Sequence, residues 1–288
     1  MRSERFCLGI IRAEADALAI APCVPELSLT IDEYSRFKYG DSRLARVYGE
    51  ALAHHLLPRL LATIDRDCGE IHVTSSAYRN APPASAALLA PFLHTARILL
   101  ADQHITHFKT LRAQPTNGDY ATLGTTARKT VMQQTAFGLP EGVDLRDRHI
   151  VALDDIRVTG AHEAALDKLF AAHHARRVTH LYILDVAHSE DPTLEARLND
   201  AAIADIDTLI AMTRCEQFTP NARFGKRIMT ETPEAIHKFI RNVSAEVVEC
   251  LITNAADDGL DRMQRYQSGF SLLAAAYGKM RGDAHICG

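Results

Sequence analysis

The sequence predicts an α/β fold with a parallel sheet, followed by an α-helical C-terminal extension. Three observations carry this. From Ile71 onward, short apolar runs alternate with helical patterns, the order that βαβ units produce. One apolar run, Ile150 to Leu153, ends on adjacent carboxylates, Asp154 and Asp155, and leads through Thr159-Gly160 into an alanine-rich segment. From about residue 193 the strand signals stop and only helical patterns remain.

Taken in order, residues 1–40 are mixed, with Pro22 and Pro25 dividing two short apolar segments. They read as an N-terminal cap of short strands or loops. A core over 41–190 follows. Asp41 opens a helix whose stripe contains Leu44, Val47, Tyr48, Ala51, Leu52, Leu56, Leu60 and Ile64. Pro58 is placed to kink it. Ile71–Thr74 reads as a strand, Ser75–Pro83 as a loop, Ala84–Leu100 as a helix and Ile105–Lys109 as a second strand. Leu111–Thr126 is long and poorly patterned, with Pro115, Asn117-Gly118 and Gly124. Loops of that length in a compact domain often act as lids. Ala127–Phe137 is compatible with a helix, Ala161–His173 is the helix after the acid pair, and Val178–Val186 is a further strand.

Over 191–288, Ile203–Met212, Pro233–Ile252 and Leu260–Met280 read as helices. Thr232-Pro233 starts the second of them, threonine as cap and proline in the first turn. The stripe Ile236, Phe239, Ile240, Val243, Val247 and Leu251 must be buried somewhere. It can pack on the core or on a second copy of the chain, so a homodimer stays open.

Composition narrows the class. The 288 residues are 47% apolar and 24% charged, ordinary for a globular protein. The net charge of −4 gives no global basic field, so stable nucleic-acid binding is not expected. No apolar run approaches the roughly 20 residues that a membrane helix needs. The patch Phe6 to Ile11 is cut off by Arg12, too short for a signal core. Cys7, Cys23, Cys68, Cys215, Cys250 and Cys287 form no CxxC pair, and read as reduced thiols of a cytoplasmic protein. Among 14 histidines, the doublets His54-His55 and His173-His174 point to different helix faces, and no zinc-ligand spacing occurs.

The chemistry concentrates in one turn. Ligands sit beyond the carboxyl ends of strands in open parallel sheets. A glycine turn feeding a helix N-terminus offers backbone N–H groups and a positive dipole end to a phosphate. Two acids beside that cradle suit the hydroxyls of a phosphorylated sugar. The strand-end position lies outside any apolar stripe, so fold stability is not expected to rest on these acids.

Val151-Ala152-Leu153-Asp154-Asp155-Ile156-Arg157-Val158-Thr159-Gly160-Ala161-His162 resembles the phosphoribosyl-diphosphate (PRPP) motif of type I phosphoribosyltransferases. It departs from that motif at His162, which replaces a hydroxyl, and Arg157 is unusual in its variable slot. Tyr34-Ser35-Arg36-Phe37-Lys38-Tyr39-Gly40-Asp41 resembles the stretch before the first core helix in competence-protein-like members. A divergent group of these, from bacterial tellurite-resistance and stress operons, also has a helical C-terminal extension.

The resemblance implies a parallel-sheet type I phosphoribosyltransferase core that transfers phosphoribosyl from PRPP to a small nitrogen acceptor, or cleaves a nucleotide in reverse. It implies Asp154 and Asp155 as catalytic acids for the ribose hydroxyls, directly or through Mg²⁺, a hard cation suited to oxygen ligands. Arg157, Val158, Thr159, Gly160, Ala161 and His162 would hold the 5′-phosphate. Ser75, Ser76, Ala77, Tyr78 and Arg79 would form the diphosphate loop after the first core strand. Lys109 is the catalytic basic residue ending the second strand. Arg112, Arg128, Lys129, Arg223 and Lys226 are candidates for lid or acceptor contacts, and the helical extension is expected either to cap the acceptor pocket or to form an interface. Val158 stands where the 6-oxopurine enzymes carry an aspartate, so their base chemistry is not supported. The alternative is a non-catalytic subunit that senses PRPP or a nucleotide.

Overall fold

A computed structural model describes residues 1–14, 17–61, 70–101, 103–112, 137–186, 191 and 193–284. It is a mixed α/β structure with a mostly parallel central sheet and a C-terminal set of helices. The central sheet is built from β1 (Arg2–Glu14), β2 (Ala17–Pro22), β3 (Glu70–Ser75), β4 (His104–His107), β7 (His149–Arg157) and β8 (Arg177–Val186). Its order is β2-β1-β8-β7-β3-β4. Neighbours run parallel except β1 with β2. A separate pair, β5 (Leu111–Arg112) and β6 (Phe137–Gly138), is antiparallel.

A parallel sheet is covered on both faces, so its central strands read as continuous apolar runs. Alternation along β7 then sends neighbours to opposite faces. Val151 and Leu153 join one buried cluster, with Leu44, Tyr48, Leu88 and Phe92. Ile150 and Ala152 join another, with Leu166 and Phe170. Those partners lie on α2 (Ser42–Ala51), the 3-10 turn Ala84–Leu88, α4 (Leu89–Leu99) and, on the second face, α5 (Ala161–Ala172).

Residues 1–40 are not a separate cap. Strand β1 pairs with β8 along its length, Arg2 opposite Arg177 to Ile11 opposite Val186, and Leu8 and Ile11 are core residues. The patch Phe6 to Ile11 lies within this strand. The same stretch ends in α1 (Ile31–Lys38), whose start is a reciprocal cap. Thr30 Oγ1 accepts from the Glu33 amide at 3.2 Å and donates to the Glu33 carboxylate at 3.1 Å. This is the Thr-x-x-Glu capping box.

The helix expected from Asp41 is interrupted. After α2 comes a π-helical turn, Leu52–Leu56, and then α3 (Leu57–Leu61), with Pro58 in its first turn. The π-helical turn ends two residues before Pro58, so the helix leaves its α register next to the residue that has no N–H to donate.

The extension comprises α6 (Leu194–Asp200), α7 (Ile206–Thr213), α8 (Ala222–Met229), α9 (Pro233–Asn242), α10 (Ala245–Asp257) and α11 (Gln264–Ala284). The helix expected over Pro233–Ile252 is two, divided at Val243, whose φ of −123° and ψ of 161° are extended. Ile236, Phe239, Ile240 and Leu251 are buried in the extension's own cluster, with Val243 and Val247 packed against it. Tyr39 joins that cluster from the core side. Asn221 caps the start of α8, its Oδ1 accepting from the Phe224 amide at 3.0 Å.

The extension is stitched to α1. The Ser35 hydroxyl donates to the Asn199 carbonyl, and Asn221 Nδ2 donates to the Lys38 carbonyl at 3.0 Å. At Gly40 (φ +106°) an added Cβ would lie 2.3 Å from the Thr219 carbonyl oxygen. Only glycine fits so close an approach at positive φ. No helix among the described residues is long and apolar enough to cross a membrane.

Candidate active site

The pairing of β3 with β7 stops at Ser75 opposite Leu153, while β7 continues beside β8 as far as Arg157. Asp154 and Asp155 therefore lie one step past the end of β3, where a crevice opens. That crevice is a cleft of 190 Å³ lined by Ser76, the whole stretch 154–163 and Lys38. The expected acid pair and phosphate turn thus share one cavity.

Gly160 occupies the left-handed region at φ +70° and precedes α5. Thr159 Oγ1 accepts from the Ala161 amide at 3.3 Å, and the helical ladder begins with Ala164 N–H to the Gly160 carbonyl at 2.9 Å. The first turn of an α-helix has amides without intrahelical acceptors, and here that turn faces the cleft.

Each acid is held by several groups. Asp154 Oδ1 accepts from the Ser76 hydroxyl and, at 2.8 Å, from the Asp155 amide. Asp154 Oδ2 lies 3.0 Å from His162 Nδ1. Burial alone would push the Asp154 carboxyl up. The hydrogen bond and charge of His162, with the Ser76 hydrogen bond, outweigh it and hold Asp154 well below the ordinary carboxylate range. His162 thus bonds an acid from the slot where the resembling motif has a hydroxyl. Its ring also meets Phe137 edge-on at 5.4 Å.

Asp155 is 7% exposed and forms an ion pair with Lys38 at the end of α1. Burial pushes its carboxyl up, with Lys38 opposing and Asp154 reinforcing the shift. The sequence reading placed both acids outside the packing, whereas Asp155 is buried and faces a buried ammonium.

Arg157 is tied down on both sides. Nε donates to Glu163 at 3.1 Å and Nη1 to Asp185 at 3.2 Å. Glu163 is shared with Arg5 and with the Tyr182 hydroxyl at 3.0 Å. The guanidinium also approaches Gly160, whose added Cβ would lie 3.0 Å from it. Arg157 therefore braces the turn from below.

In the loop after β3, Ser76 meets Asp154 and is itself bonded by the Ser85 hydroxyl at 2.9 Å. Ser75 is buried and lines neither cleft. Lys109 does not reach the acids. Its ammonium donates to the Arg79 carbonyl at 2.6 Å and sits 4.1 Å over the Tyr78 ring. It lines neither cleft, so its visible role is to fix the loop. The proposed lid beyond Arg112, with Arg128 and Lys129, lies outside the described residues.

A second cleft, of 290 Å³, adjoins the first. The two share Lys38, Ala77, Pro83 and Arg112. Its walls include Tyr78 and Arg79 of the loop and Arg223 and Lys226 of α8. Tyr39, Arg227, Asp200, Asp258 and Arg265 also line it and were not anticipated from sequence. The omission of Lys38 from the expected site has a readable cause. The Thr30-Glu33 capping box marks α1, and α1 carries Lys38 to Asp155.

Among the described residues, no group of three or more His, Cys, Asp or Glu could hold a metal ion. Asp154 and Asp155 nonetheless offer hard oxygen donors of the kind that hold Mg²⁺ together with substrate phosphates.

The family model of ComF-like phosphoribosyltransferases matches residues 25–273. The chain belongs to this family. As a ComF-like member it also has remote structural likenesses. One is a hypoxanthine phosphoribosyltransferase from Staphylococcus aureus, at 12% identity and TM-score 0.34, covering 49% of this chain and 64% of that one. Another is the hypoxanthine-guanine enzyme of L. donovani, at 10% identity and TM-score 0.36, covering 58% and 78%. A third, from Bacillus anthracis, has 11% identity and TM-score 0.33, covering 54% and 77%. Among curated proteins none matches.

Proposed function

We propose that this ComF-like chain binds PRPP in the cleft of Asp154, Asp155 and Gly160 and transfers its phosphoribosyl group to a small nitrogen acceptor in the adjoining cleft, or runs the reverse cleavage. One observation carries the reading. Ser76, 78 positions before Asp154, is hydrogen-bonded to it, which supports a site shared by the loop after β3, the acid pair and the Gly160 turn.

In the reaction, the bond from ribose C1 to the diphosphate breaks, and the diphosphate leaves with the electron pair. The acceptor nitrogen forms the new bond to C1, and a proton carried by that nitrogen passes to solvent or to the departing diphosphate. Positive charge develops on the sugar ring, so catalysis rests on alignment, charge stabilisation and exclusion of water. Asp154, kept ionised by His162 and Ser76, holds the ribose hydroxyls and faces the developing charge. Asp155 needs Lys38 to move before it can do the same. The Thr159–His162 turn holds the 5′-phosphate. Loop amides and the Ser76 hydroxyl face the departing diphosphate. Asp154 and Asp155 would hold Mg²⁺, which would supply further positive charge to the leaving group.

The Lys38–Asp155 pair also favours a second reading, a PRPP-sensing subunit, because it engages an acid that catalysis needs. Diphosphate release from PRPP, measured against a panel of bases and nucleosides, separates the two. Release with one acceptor supports transfer. Saturable PRPP binding without release under any condition supports sensing and removes transfer.

A further inference from the structure

Two cysteines meet near the β2 edge of the sheet. Cys7 lies in β1, and Cys23 in the short segment between β2, which ends at Pro22, and α1, which starts at Ile31. Their Sγ atoms are 3.8 Å apart. The strand ladder makes this approach. β1 and β2 pair antiparallel from Glu14 opposite Ala17 to Gly9 opposite Pro22. The Cys23 amide continues the ladder with a 2.8 Å bond to the Leu8 carbonyl. Cys23 therefore stands across from Leu8, beside Cys7, at the strand spacing of about 5 Å.

Both thiols are partly exposed, within reach of a small oxidant. Cys215 and Cys250 make other contacts. Cys215 Sγ donates to the Ala211 carbonyl at 3.8 Å, and Cys250 Sγ accepts from Asn254 Nδ2 at 3.4 Å. A disulfide needs Cα atoms no more than about 7 Å apart and sulfurs about 2 Å apart. Neighbouring positions on paired strands meet the first condition, and rotation about the Cα–Cβ bonds supplies the second. Cys23 lies one residue past β2, so its side chain can turn without breaking the strand pairing.

We propose that Cys7 and Cys23 are an oxidation site, joined by a peroxide into a reversible disulfide that staples β1 to the entry of α1. Burial, with the Cys23 thiol beside it, pushes the Cys7 thiol up to about 12. A thiol attacks as its thiolate, so the first step falls to Cys23. The Cys23 sulfur attacks one oxygen of hydrogen peroxide, and the O–O bond breaks. The departing hydroxide takes up a proton to give water, and Cys23 is left as a sulfenic acid. The Cys7 sulfur then forms the S–S bond and displaces hydroxide, which combines with the Cys7 proton as a second water. The thiols lose an electron pair, and the peroxide gains it. A thiol reductant reverses the bond by exchange. The staple closes the β1–β2 hairpin and fixes the lead into α1, the helix that carries Lys38 to Asp155. It stabilises mainly by restricting the unfolded chain.

Peptide mapping tests this. The full chain is treated with hydrogen peroxide under native conditions, alkylated and digested, and its linked peptides are identified by mass spectrometry. A Cys7–Cys23 peptide should be the main linked product and should disappear with dithiothreitol. Thermal melts before and after treatment should show a rise of about 5 °C or more. Cys7→Ser should stop at a Cys23 sulfenic acid, captured by dimedone, with no such rise. Cys23→Ser should give much less dimedone adduct at Cys7.

Cys7 and Cys23 still reduced when exposed Cys215 is fully oxidised would overturn the proposal. So would a different cysteine as the main partner of either residue, or a Cys7–Cys23 bond that leaves the melt unchanged or lowers it. Dimedone capture at Cys7 in preference to Cys23 would overturn the order of attack. The wild-type map and melt decide the staple by themselves if either serine variant fails to fold.

Discussion

The Lys38 ammonium is paired with the Asp155 carboxylate, and the two side chains are 9% and 10% exposed. The pair joins the last turn of α1 to the end of β7, residues 117 positions apart. It makes one acid of the site structural as well as chemical.

Removing one partner should therefore cost more than removing both. A buried charge left alone costs roughly 3 to 5 kcal/mol. Lys38→Met and Asp155→Asn are each expected to lose stability in urea titrations, with Lys38→Met near the lower figure. The double variant should recover at least half of the summed loss. Losses that simply add would show that the two groups are not coupled.

Gly40→Ala should destabilise by about 2 kcal/mol or more, because it combines positive φ with a carbonyl in the path of the new Cβ. It should also weaken PRPP binding, since Gly40 lies two residues from Lys38. Ser42→Ala, which removes an exposed hydrogen bond to Thr219, serves as the control and should lose less than about 1 kcal/mol. Thermal melts of both variants beside wild type make the comparison.

His149 sets an acid limit on stability. It is fully buried at the start of β7, with Nε2 3.0 Å from the Thr179 hydroxyl. Burial, aided by Arg177, lowers its imidazole from 6.5 to about 4. Below pH 6.5 the unfolded chain takes up a proton that the folded chain refuses. The stabilisation is thus full above that pH and is lost as pH falls through about 4. The loss should reach about 3 kcal/mol near pH 4. In denaturant titrations, His149→Gln should show an acid loss smaller by about 2 kcal/mol at pH 4.5. An unchanged slope would assign the acid sensitivity to other groups.

His162 should hold Asp154 in its working state. His162→Ala is expected to weaken PRPP binding about tenfold by removing a hydrogen bond to a charged group. His162→Thr, which restores the hydroxyl of the resembling motif, should keep part of that affinity. Equal affinity in all three proteins would show that the His162–Asp154 contact does nothing for the ligand.

Much of this was readable in the chain. Strands β3, β7 and β8 and the turn at Gly160 follow from apolar runs closed by polar punctuation, because a buried parallel strand leaves that pattern regardless of its partners. The place of β1 was not readable, since Phe6 to Ile11 gives no sign of which strand it pairs with. Lys38 was missed for a different reason. Its role arises from a contact between elements far apart in sequence, and a solvated lysine looks the same in a sequence as a buried one. Lys109, expected to end the second strand, lies two residues past β4, and its ammonium meets the Arg79 carbonyl and the Tyr78 ring.

The central claim is that the cleft of Asp154, Asp155 and Gly160 takes PRPP. Isothermal calorimetry with the full chain, with and without Mg²⁺, tests it most directly. One saturable site per chain is expected, strengthened by Mg²⁺ and lost in folded Asp154→Asn protein. No heat at about millimolar PRPP in either condition, from wild-type protein whose melt shows it folded, would contradict it.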